Sequence, residues 1–219
     1  MRSAIAIVLA AAVAGCGGKN LSLSVRAGSP APAVLSRGAL VAGNGLVLTR
    51  VRVVIRKVEL EKAGTVEMDE IASGPYLLDL SGAALDNASL GTVVNASFTP
   101  GTYSEIKLEI HKPEDTEKGV NADLSDMIAA KASIIADGTI DGGNFTFTTA
   151  VNAEQQFEGT LELKDGSNLT LNVDATSWFT SGGMRLDPRT ESNRPQIESN
   201  IQKSFKAFKD DDRDGHEDP

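Results

Sequence analysis

At 219 residues and 23.0 kDa, the chain has room for one domain of ordinary size with appendages. Its 21 Lys and Arg against 30 Asp and Glu give a net charge of −9 and a pI near 4.8. That balance excludes nucleic acid as a partner, because a phosphate-binding surface needs a clustered positive field. A single Cys makes neither an intramolecular disulfide nor a thiolate metal cluster, and two His leave little for imidazole chemistry. Hydrophobic residues at 41% suffice for a folded core.

The N-terminus reads as an export signal. Met1-Arg2-Ser3 leads into an uncharged apolar run over residues 4–13. A bilayer-spanning helix takes about 20 apolar residues, so this run fits a signal segment instead. Val13-Ala14-Gly15-Cys16 then resembles the lipobox of bacterial lipoproteins: an aliphatic residue, two small ones and the cysteine that becomes lipidated. The resemblance implies that residues 1–15 are removed and that Cys16 carries the lipid and anchors the chain to a membrane. Gly17 stands where the family's inner-membrane retention rule needs Asp, which points to the outer membrane and leaves the leaflet open.

Residues 16–44 are rich in Gly, Ala, Ser and Pro and read as a lipidated N-terminus with a tether. Leu21-Ser22-Leu23-Ser24-Val25 alternates and reads equally as an edge strand. From residue 45 to 178 the pattern predicts a β domain. Val51, Val53 and Ile55 share one phase, and Val58 and Leu60 take the other, which predicts a bulge near Arg56-Lys57. Residues 76–80 and 93–98 are further strands. Thr99-Pro100-Gly101-Thr102 predicts a turn with Gly at positive φ. Behind it, Ile106, Leu108 and Ile110 alternate with Glu105, Lys107 and Glu109, a half-buried antiparallel strand.

Residues 122–131 predict a short helix capped by Asp123 or Ser125. Strand signals follow at 133–140, 145–151, 157–163 and 169–173, with hairpin turns expected at 141–144 and 164–167. Short strands with Gly-bearing turns point to an antiparallel sandwich or a barrel. Residues 179–219 are expected to form a loop, an amphipathic helix and an acidic tail. Ile197, Ile201, Phe205 and Phe208 make the helix stripe, with Ser192 or Asn193 as cap and Pro195 in the first turn.

The segments 48–60, Leu77-Leu78-Asp79-Leu80 and residues 100–108 resemble bacterial lipoproteins grouped as domain of unknown function 4382. The resemblance implies an immunoglobulin-like or transthyretin-like β-sandwich and supplies no catalytic residues.

Asp210, Asp212, Asp214 and Gly215 spell D-x-D-x-D-G, which resembles the opening of EF-hand-type calcium loops. Calcium takes six to eight oxygens at about 2.3–2.6 Å, and alternate carboxylates bent around a Gly converge on one point. In that pattern His216 offers its backbone carbonyl and Asp218 falls at the ninth position. No acid stands at the twelfth, and a solvated acidic terminus is the plainer alternative. Trp178 and Phe179 either plug the end of the sandwich or stack on a sugar. His111 sits at a strand end beside Lys112-Pro113, and no nucleophile–base pattern or phosphate loop is present in the sequence.

Three functions remain. The first is a non-enzymatic envelope lipoprotein that serves structurally or binds another envelope protein. The second is a calcium-assisted carbohydrate-binding module that takes a glycan. The third, a glycosidase, needs two facing carboxyls about 5–9.5 Å apart.

Overall fold

The computed structural model describes residues 19–27, 39–42, 45–85 and 90–218. The signal segment and Cys16 lie outside them. In chain order the strands are β1 (Lys19–Ala27), β2 (Leu40–Val41), β3 (Leu46–Lys62), β4 (Met68–Ser81), β5 (Gly91–Phe98) and β6 (Gly101–Ile110). A short helix, α1 (Ser125–Ala129), precedes β7 (Ile134–Ile140), β8 (Gly143–Thr149), β9 (Ala153–Leu163) and β10 (Asn168–Val173). The small hairpin β11 (Thr180–Ser181) and β12 (Met184–Arg185), helix α2 (Arg194–Gln202) and β13 (Phe205–Lys209) complete the chain. The protein is mainly β, with two sheets packed into a sandwich. Among the described residues, no helix is long and apolar enough to cross a membrane.

β3 is the spine of the larger sheet. One side pairs with β2 at Val47 and Leu48 and with β4 from Arg50 onward, while the other pairs first with β7 and then with β6. The register with β4 and with β6 shifts between Ile55 and Lys57, so the bulge lies where the sequence phase changes. It keeps Val51, Val53 and Ile55 on the core face before it and Val58 and Leu60 on that face after it. Val54 points the other way, yet it is also buried. Together with Leu77, Leu124, Met127, Ala132 and Ile135 it forms a second small cluster under α1. This helix is shorter than the sequence predicted, and its N-cap is Leu124, which makes no side-chain cap, rather than Asp123 or Ser125; Asp123 Oδ1 accepts the Ser125 N–H at 3.1 Å just before it.

The smaller sheet has the order β13-β10-β1-β5. Here the sequence reading needs correction. Residues 19–27, assigned to a tether or an edge, form an interior strand, parallel to β10 on one side and antiparallel to β5 on the other. Leu21, Leu23 and Val25 sink into the common core with Leu169, Leu171 and Val173. That burial outweighs the strand's modest apolar content, at roughly 1.5–3 kcal/mol for each large side chain.

Three further expectations change. The 164–167 turn is no hairpin: it carries the chain from the larger sheet to the smaller, because β9 pairs with β6 and β10 pairs with β1 and β13. Gly101 is absent from the positive-φ glycines and opens β6 directly. The C-terminal helix stops at Gln202, with Pro195 in its first turn and no side-chain cap at Asn193. Phe205 and Phe208 leave the helix stripe for β13, where they sit opposite Val173 and Thr170. Their odd spacing puts them on opposite faces of that strand, and the open edge of β10 supplies their backbone partners.

Candidate metal centre

The acidic segment leaves the sandwich at the end of β13. The Asp210 N–H still continues the ladder, donating to the Asn168 carbonyl at 2.9 Å. The chain then folds back over the outer face of β1 and β10. That face is polar and buried: Asn168 Oδ1 accepts from both Ser22 Oγ and Ser24 Oγ at 2.8 Å. All six residues of β10 are buried, because the tail covers the face that alternation alone would leave to solvent.

Asp210 is fully buried at the base of the loop. Its Oδ2 accepts from Thr170 Oγ1 at 2.6 Å and from the Gly215 N–H at 3.2 Å. Its carbonyl accepts from Asn168 Nδ2 at 3.0 Å and from the Arg213 N–H at 3.2 Å. Gly215 has φ +82°, and a Cβ there would fall 2.1 Å from Arg26 Nη1, so only glycine fits without displacing the guanidinium. Arg26 Nη1 donates to the Gly215 carbonyl, and Arg213 Nη2 donates to Ser22 Oγ at 2.9 Å. Both arginines thus fasten the loop to β1 through neutral groups.

Asp210, Asp212 and Asp214 each bring one oxygen within 4.8 Å of the others. Two oxygens on one calcium ion lie at most about 5 Å apart, so this cluster can hold a metal ion. Asp212 and Asp214 are exposed, and each uses one oxygen to accept a local backbone N–H, from Asp214 at 3.1 Å and from His216 at 2.7 Å. Among the described residues, none of the three carboxylates forms an ion pair.

The remaining acids do something different. Asp218 Oδ2 accepts the Asp211 N–H at 2.6 Å and lies 3.6 Å from Lys209 Nζ, so it closes the loop as a clasp. It stands outside the convergent set, contrary to its expected place in a calcium loop. Burial opposes the charge on Asp211, but Lys209 Nζ at 3.0 Å and the Asn168 N–H outweigh it and hold the carboxyl below its usual range. Lys209 is raised in turn, chiefly by that hydrogen bond. The tail is therefore neither six unpaired acids nor a continuation of a helix, since β13 separates it from α2.

Trp178 and Phe179 are buried, at 0% and 1% exposure, and present no face to a sugar. Trp178 Nε1 donates to Ser204 Oγ at 2.7 Å, and Phe179 meets Phe145 and Phe147 edge-on at 5.7 and 5.8 Å. They plug the sandwich end. Beside them lies a cavity of about 520 Å3, whose lining includes Asn172, Asp174, Thr180, Asn200, Lys203 and Lys206 and no aromatic ring. The His111 N–H extends the sheet toward the Val54 carbonyl, and its Nε2 is buried without a hydrogen-bond partner among the described residues. Sequence reasoning missed Thr170, Asn168, Ser22 and Arg26 as supports of the loop, for nothing local marks them.

No protein-family model matches the chain, and no curated protein matches it in sequence. Among solved structures, MbnP from Methylosinus trichosporium is similar at a TM-score of 0.44 and 11% identity, covering 87% of this chain and 98% of that one.

Proposed function

We propose that the chain is a bacterial envelope lipoprotein, anchored in the outer membrane through a lipidated Cys16, with a structural or protein-binding role and no catalytic activity. The lipobox residues Val13-Ala14-Gly15-Cys16 support the anchor. So do the strand motifs that resemble those of the domain-of-unknown-function 4382 lipoproteins. Burial of Trp178 and Phe179 removes the aromatic platform that favoured a carbohydrate-binding module.

The finer part of the reading is that the C-terminal loop takes Ca2+ as a structural cation. One observation carries it: three carboxylates converge without an ion pair, on a loop already fixed to the sheet by Thr170, Asn168 and Arg26. Calcium would stabilise the fold by RT ln(1 + [Ca2+]/Kd). With Kd near 10⁻⁴ M, as in extracellular modules, millimolar calcium contributes about 1.4 kcal/mol. In a chain of this length that raises Tm by about 3–6 °C. Scanning calorimetry should show this rise for the wild type and none for the double variant Asp212→Ala/Asp214→Ala. Asp210 is left in place because its carboxylate also supports Thr170 and Gly215. No rise in the wild type, or an equal rise in the variant, refutes the calcium site.

A further inference from the structure

Strand β1 begins at Lys19, three residues beyond Cys16. Fully extended, three residues span at most about 11 Å, so an anchor at Cys16 holds the start of β1 that close to the bilayer. Pairing shows what shares this end of the sandwich. Lys19 lies opposite Phe98, whose strand turns through Thr99-Pro100 into β6. Asp165, in the turn before β10, accepts the Asn20 N–H at 3.0 Å and faces Lys19 Nζ at 3.4 Å. Lys62 lies opposite Tyr103, which brings the β3–β4 hairpin tip to the same end, with Val66 91% exposed. Lys209 lies opposite Leu169, so the acidic loop starts here too.

At the far end are the Asp141-Gly142 turn and the β11–β12 hairpin, joined where Arg185 Nη1 and Nη2 donate to the Asp141 carboxylate at 2.7 and 2.8 Å. Met184 is 71% exposed there.

We infer that the anchored protein stands on the lipid headgroup layer with its Val66 and acidic-loop end against the surface and its Met184 end away from it. This inference rests on the lipidation of Cys16. The chemistry suits the contact: Val66 is an apolar tip, and Lys62 beside it, with Lys19 and Lys164 that also face Asp165 and Asp211, offers ammonium groups to headgroup phosphates.

The test reads Trp emission in the variants Val66→Trp and Met184→Trp, against the constant background of buried Trp178. The chain beginning at Cys16, its only thiol, is coupled to maleimide lipid in phosphatidylcholine vesicles that carry nitroxide-labelled headgroups. A second arm uses the same variants extracted from membranes with their native lipids. The Val66→Trp variant should lose emission that Met184→Trp keeps. Equal loss, or greater loss at Met184→Trp, in the coupled arm overturns the orientation itself. A native preparation that fails to float with the vesicles overturns the lipidation reading, and with it the standing of the protein in the cell, whatever the coupled arm reads.

Discussion

Replacing Trp178 with alanine is expected to cost about 3–5 kcal/mol in chemical denaturation, the usual range for emptying a large buried aromatic site. The indole is fully buried, packs edge-on against Phe179 at 6.4 Å and donates to Ser204 Oγ. Ser204 also donates to the Ile201 carbonyl, so this one contact ties the sandwich end to the last turn of α2. Trp178→Phe keeps a ring and forfeits only the hydrogen bond and part of the volume, and its loss should be clearly smaller. Met184→Ala, at an exposed hairpin tip, should stay within about 0.5 kcal/mol. A Trp178→Ala loss no larger than that of Met184→Ala would mean the ring lies on the surface after all.

Leu108→Ala should cost about 2–5 kcal/mol, since the side chain is 1% exposed in the middle of the core. Its strand is held on both sides, by Val58 of β3 and by Gln155 of β9, so the site cannot close up cheaply. The neighbouring Lys107 points to the outer face, with Glu154 at 3.5 Å and Glu105 at 3.8 Å. Lys107→Ala should cost about 1 kcal/mol or less, because its ion pairs lie on the outer face, partly open to water. Equal losses at the two positions would contradict the alternation that defines the strand.

The larger sheet was legible because its strands carry their own period. In β3 even the bulge is written in the sequence, as the slip from Ile55 to Val58. The smaller sheet was not. Leu21-Ser22-Leu23-Ser24-Val25 has the same pattern whether its serines face water or a covering segment, and the cover comes from residues nearly 200 positions away. Its parallel partner β10 lies 146 positions away, and no local signal reports such a pairing.

The helix stripe misled for a related reason. Residues 197, 201, 205 and 208 satisfy a helical period, but residues 205 and 208 also suit the two faces of a strand. The free edge of β10 decided between them. At the candidate metal centre the alternating aspartates and Gly215 were readable from spacing alone. Their supports on β1 and β10 were not, and neither was the clasp between Asp218, Asp211 and Lys209.

The central claim, an envelope lipoprotein held at Cys16, is tested most directly by labelled fatty acid. Cells producing the full chain should incorporate the label into a protein whose mature N-terminus is Cys16. Cys16→Ser should accumulate as an unlabelled precursor that retains residues 1–15. Label on the Cys16→Ser protein, or a wild-type chain that reaches the membrane with residues 1–15 intact and no label, would contradict the account.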